Sequence, residues 1–162
     1  MRVLPVLSLL LVAVNAAAGQ VGGEKASTTS TAVVALPGEL KWSPAPAILP
    51  AGARLAVIEG DPGKPGEFTM RLWMPANYRI PPHFHPATEH VTVVQGTFFV
   101  GMGEKFDTRH GQRLPVGSFG ALPAGMRHFA WTEGETIIQL HGVGPWSLSY
   151  VNPADDPTRK SK

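Results

Sequence analysis

From Ala53 onward the chain alternates apolar and polar positions in short runs, each closed by glycine or proline. The runs read "ARLAVIEG" (53–60), "EFTMRLWMP" (67–75), "EHVTVVQGTFFVGMG" (89–103), "GSFGALPAG" (117–125), "HFAWTEG" (128–134), "ETIIQLHG" (135–142) and "SLSYVNP" (147–153). A repeat of two puts successive side chains on opposite faces, so each run predicts a β-strand. "DPGKPGE" (61–67) is a turn cluster, and "VQGTFF" reads as a tight connection between strands. No stretch of ten residues or more keeps a helical repeat. Strands this short and this regularly spaced predict an all-β sandwich or barrel. There is no internal sequence repeat.

The amino terminus breaks the pattern. "MRVLPVLSLLLVAVNAAAGQ" has a basic Arg2, an apolar run from Val3 to Val14 and then Ala16, Ala17 and Ala18. That is the layout of a secretory signal peptide, with cleavage after Ala18. The run is interrupted by Pro5 and is shorter than the roughly 20 apolar residues a membrane span needs. Small polar residues without a period follow. The expected organisation is a signal peptide (1–18), a flexible, disordered arm (19–39), one β domain (40–152) and a polar tail (153–162). The chain has no cysteine, so neither a lipid anchor at the cleavage site nor a disulfide is available. None of its asparagines opens an N-x-S/T acceptor. A secreted or periplasmic bacterial protein is expected, with no membrane attachment after cleavage.

Composition adds two restrictions. Only 16% of residues are charged while 43% are hydrophobic, enough for a core that must hold the domain unaided. Lysine plus arginine (14) nearly balances aspartate plus glutamate (12), with part of the excess in the terminal "RKSK". No basic stripe is left for a nucleic acid.

The candidate chemistry sits in "HFHPATEHVTVVQG" (83–96). Residues two apart on a strand share a face, so His83 and His85 point the same way. After a turn at Pro86–Thr88, Glu89 shares a face with Val91 and Val93, and His90 points away. Downstream, a proline-glycine turn delivers His128 at the start of another strand. Three imidazoles and a carboxylate suit one divalent transition metal: iron, manganese, nickel, copper, cobalt or zinc. Absence of thiolate argues against an iron–sulfur cluster, and imidazole-rich ligation argues against calcium or magnesium.

The spacing resembles the two motifs of the cupin superfamily. The first, His-x-His, three residues, Glu, six residues, Gly, is matched by His83, His85, Glu89 and Gly96. The second is matched by Gly117, Pro123, Gly125 and His128, with Thr132 where the motif has asparagine. Asn77 stands where the first motif opens with glycine, and asparagine also tolerates a left-handed backbone. Neither departure touches a ligand position. The resemblance implies a cupin or jelly-roll barrel of two facing antiparallel sheets, with the metal held by His83, His85, Glu89 and His128 near one mouth. Closure of the barrel is expected to remove sheet edges.

Among other candidates, His141 shares a strand face with Gln139 and Ile137 and is a candidate substrate contact or proton shuttle. Glu89 is the second candidate catalytic group. His110, in "DTRHGQR", reads as solvated. Trp73, Phe99, Phe129, Trp131 and Trp146 are candidate pocket or core residues, and Arg71 and Arg79 read as exposed. Metal occupancy is expected to fall as pH drops through the histidine range near 6.5. The superfamily holds dioxygenases, decarboxylases, isomerases and lyases beside binding and sensing domains. The expected function is an oxygen-dependent oxidoreductase acting on a small organic molecule. The alternatives are non-redox metal catalysis and capture of a small ligand without catalysis. A homodimer is the expected assembly.

Overall fold

The computed structural model describes residues 31–159. The predicted signal peptide, residues 19–30 of the predicted arm and residues 160–162 of the tail lie outside the described residues. Eleven strands appear: β1 (Ser43–Pro44), β2 (Arg54–Glu59), β3 (Gly66–Met74), β4 (Arg79–Phe84), β5 (Glu89–Gln95), β6 (Thr97–Met102), β7 (Gly111–Pro115), β8 (Phe119–Leu122), β9 (His128–Thr132), β10 (Thr136–Gly144) and β11 (Ser149–Tyr150). They form two antiparallel sheets, ordered β1-β2-β3-β10-β5-β8 and β11-β4-β9-β6-β7. The all-β, jelly-roll-type expectation holds. Helix among the described residues is confined to single 3-10 turns, and none is long and apolar enough to cross a membrane.

Strand alternation builds the core. On β3, Phe68, Met70, Leu72 and Met74 are buried while the residues between them are half-exposed. They join Val91 and Val93 of β5, Ile138 and Leu140 of β10, and Ile80, Phe98, Val100 and Ala130 of the other sheet in one apolar cluster. Phe99, Phe129 and Trp131 point the opposite way and pack with Phe106 as a second cluster. That cover explains why β9 is buried along its whole length.

Two expectations are corrected here. Among the described residues no hydrogen-bonded ladder joins the two sheets, so these strands do not close into a continuous barrel and their edges remain. Those edges are blunted by other means: β1 and β11 are two residues long, and β1 and β7 each end on a proline. Strand parity was read only at His83–His85, whereas the strand there, β4, spans Arg79–Phe84 and ends before His85. Its Pro81 and Pro82 lack an N–H, and the ladder to β9 is irregular between Ile80 and His83, where they sit. The polar β7 was unpredicted; it is an edge strand paired only with β6.

"VQGTFF" carries the chain from one sheet to the other. β5 and β6 are separated by Gly96 alone and lie in different sheets. Gly96 has φ +76°, and a Cβ there would collide with the Glu135 carbonyl oxygen. Both facts require glycine at this corner.

Candidate metal centre

His83 lies at the end of β4, His85 just beyond it, Glu89 opens β5 and His128 opens β9. His83 and His128 are direct cross-strand partners. On β5 the burial alternates from Glu89, so Glu89, Val91 and Val93 face inward and His90 faces away, as parity predicts. All four candidate ligands are buried, with 2–8% of their surface exposed.

Each ring is fixed by a backbone carbonyl. His83 Nδ1 lies 2.7 Å from the Pro81 oxygen, His85 Nδ1 2.7 Å from Ser147, and His128 Nδ1 2.9 Å from Met126. A carbonyl only accepts, so in each case Nδ1 carries the proton and Nε2 keeps its lone pair. One nitrogen from each histidine lies within 4.8 Å of the others. Glu89 Oε2 is 3.5 Å from both His85 Nε2 and His128 Nε2. His85 Nε2 is buried without a hydrogen-bond partner. Three lone pairs converging beside a buried carboxylate can hold a cation between them. The three histidines therefore fit a divalent metal bound through nitrogen.

Electrostatics points the same way. Burial, followed by the neighbouring His128 and His85, pushes the His83 imidazole down to about 3. Burial also lowers His85, against the pull of Glu89. For Glu89, burial alone would raise the carboxyl, but the closeness of His128, His85 and His83 outweighs it and the net shift is downward. Protons thus bind His83 and His85 less readily than they bind a solvated imidazole.

The centre opens on an apolar cavity of about 20 Å³. Besides the four ligands, its lining is aliphatic apart from Phe98 and Trp146. Trp146 stacks on His85, with ring centroids 4.9 Å apart and planes 21° from parallel. The other candidate aromatics lie elsewhere: Phe99, Phe129 and Trp131 form the outer cluster, and Trp73 pairs across the larger sheet with Ile137.

His141 is a correction. It shares a face with Gln139 and Ile137 as predicted, but Ile138 and Leu140 are the residues of β10 that line the cavity. His141 therefore lies on the outer face of the larger sheet, stacked on its cross-strand partner His90 at 4.7 Å. It cannot shuttle protons into the cavity. Arg71 donates from Nε to Gln139 Oε1 on that outer face, and Arg79 lies over the Phe106 ring. His110 is exposed beside Asp107.

The two departures from the cupin motifs meet in space. Asn77 has φ +59°, the left-handed conformation expected of the glycine it replaces. The Thr132 hydroxyl accepts from the Tyr78 N–H at 3.1 Å and donates to the Pro75 oxygen at 2.7 Å, clamping the turn that contains Asn77. Sequence reading missed the carbonyls of Pro81, Met126 and Ser147, because a main-chain acceptor leaves no mark in residue identity.

Residues 30–147 match the family described as "ChrR Cupin-like domain". The chain is 38% identical over 61 residues to germin-like protein subfamily T member 2 of Arabidopsis thaliana, covering 37% of this chain and 28% of that protein. It thus spans well under a third of that relative. The polyketide cyclase RemF of Streptomyces resistomycificus superposes with a TM-score of 0.65 at 15% identity, covering 78% of this chain and 90% of that one. A putative acetylacetone dioxygenase from Methylibium petroleiphilum gives 0.61 at 19% identity, covering 82% and 89%. Identities this low establish a shared fold and nothing about chemistry.

Proposed function

The chain belongs to the ChrR cupin-like family, and from that premise we propose that it is a mononuclear metalloprotein whose His83, His85, Glu89 and His128 bind one divalent transition metal. The observation that carries this is the convergence of three buried imidazoles, each with Nδ1 held by a carbonyl and one nitrogen near the others, beside a buried carboxylate. A bound metal of this class supplies Lewis-acid polarisation and, if it is iron, manganese, copper or nickel, redox chemistry with an exogenous ligand.

We further propose an oxygen-dependent oxidoreductase of small molecules. Isomerases, lyases and decarboxylases need a group that moves a proton at the substrate. Among the residues lining the cavity, the only ordinary acid–base side chains are the four ligands themselves. The chain's own contribution is then to orient the ligands, exclude water with its aliphatic lining and hold Glu89 ionised. The structural likeness to a protein described as a putative acetylacetone dioxygenase is compatible with this reading.

Capture of a small ligand without turnover is the second reading, which the lack of any ordinary acid–base side chain in the lining beyond the four candidate ligands also suits. Export to the periplasm or medium, with cleavage after Ala18, completes the proposal. Metal analysis of protein purified without added metal tests the first claim. Oxygen uptake with a panel of phenols, diketones and organic acids tests the second. One equivalent of metal with oxygen consumption is expected. Metal without any turnover favours ligand capture, and no metal binding at all overturns both readings.

A further inference from the structure

Three buried side-chain nitrogens lack a hydrogen-bond partner among the described residues: His85 Nε2, His90 Nδ1 and Trp146 Nε1. His90 faces outward, but the other two belong to residues that line the same cavity and stack on each other. The first is accounted for by the proposed metal. The second is an indole N–H, which can only donate. Buried polar groups are nearly always paired, so this donor implies an acceptor that the described residues do not provide.

We infer that Trp146 is a ligand-positioning residue of the metal centre. Its indole N–H donates to a compact molecule of about two or three heavy atoms, uncharged or singly anionic, held beside His85. This rests on the metal reading above. The size limit follows from the cavity, whose 20 Å³ exceeds what one water needs but excludes anything larger than a few atoms. The charge limit follows from a lining without lysine or arginine. The indole is also well anchored. The Trp146 backbone N–H donates to the Pro62 oxygen at 2.7 Å, its ring meets Phe68 edge-on at 6.5 Å, and the next residue, Ser147, accepts from His85 Nδ1 at 2.7 Å. One loop thus fixes both the ligand histidine and the donor beside it, so their relative placement is set before any molecule enters.

The test uses azide as a three-atom acceptor. Wild type and Trp146→Phe, which keeps an aromatic ring but loses the N–H, are loaded with Co(II), and azide is titrated against the visible d–d bands. Both proteins are expected to bind one equivalent of Co(II) with similar affinity, while azide binds about tenfold more weakly to the variant. Equal azide affinity in the two proteins overturns the inference, as does a wild type that binds Co(II) without responding to azide. A folded variant that loses Co(II) makes Trp146 a support for His85 and also overturns it. Failure of wild type to bind Co(II) sinks the metal reading beneath it. Should the variant not fold, the indole ¹⁵N–¹H resonance of Trp146 in Zn(II)-loaded wild type gives the answer. A downfield shift on adding azide supports the donor role, and an unmoved resonance refutes it.

Discussion

Glu89 differs from the three histidines in carrying charge, and that decides what its replacement does. Glu89→Gln keeps the size and one acceptor oxygen but removes the anion facing His85 and His128. Metal affinity is expected to fall at least about tenfold, roughly 1.4 kcal/mol, with the fold retained. Competition against a chelator of known affinity measures this, and an unchanged dissociation constant would remove Glu89 from the ligand set. Thr132 offers the contrasting case, a buried polar residue with no contact to the metal. Thr132→Val keeps the shape and strands the Tyr78 N–H and the Pro75 carbonyl. A loss of about 1–3 kcal/mol in urea unfolding is expected, with metal stoichiometry intact. A loss under about 0.5 kcal/mol would mean that solvent replaces the hydroxyl and the turn does not depend on it. The convergence of His83, His85 and His128 beside Glu89 was legible in the sequence because spacing on strands fixes which side chains share a face. Thr132's role was not, since the motif position named a substitution without naming its partners.

At the scale of the element, the glycines of the two motifs separate two kinds of constraint. Gly96 is held by both its left-handed φ and the Glu135 carbonyl, while Gly117 has φ +86° with nothing within 4 Å of where an alanine methyl would lie. Gly117→Ala is therefore expected to cost about 1 kcal/mol from backbone conformation alone. Gly96→Ala must also displace the loop entering β10, so it should cost more than about 2 kcal/mol. Denaturant midpoints of the two variants check the ranking, and equal costs would show that the β5–β6 corner relaxes freely. The same distinction governs what could be read of the fold. β3, the first five residues of β5 and the first six of β10 alternate because one face of each packs on the core, and their sequences announce it. β4 carries two prolines at a ladder irregularity, and β7 is a polar edge, so neither bears that signature. Alternation also left the sign of the face undetermined for His141. Its set was right, but only packing shows that Ile138 and Leu140 face inward.

At the scale of the whole domain, the buried centre ties folding to pH and to metal. The His83 imidazole is held near 3 in the folded protein, against about 6.5 in an unfolded chain, and His85 is lowered as well. Between those values the unfolded chain binds protons that the folded chain refuses, so unfolding free energy rises with pH across the window. Metal-free protein should thus keep its full stability above about pH 6.5 and lose it progressively as pH falls toward 3. Glu89, lowered from 4.5, adds a loss of the same sign at the acid end. A metal that binds only the folded state raises the melting temperature throughout this range. Because protons enter the folded site so reluctantly, occupancy should survive well below pH 6.5, the value that solvated imidazoles would give. Thermal melts with and without a strong chelator, at stepped pH from 7 to 4, together with metal content after gel filtration, measure both effects. The expected result is a chelator-sensitive melting temperature at every pH where the folded protein retains metal, with metal release centred below pH 5. Release centred near 6.5 would mean that water reaches His83 and His85 freely, and the buried centre on which the functional reading depends would have to be abandoned.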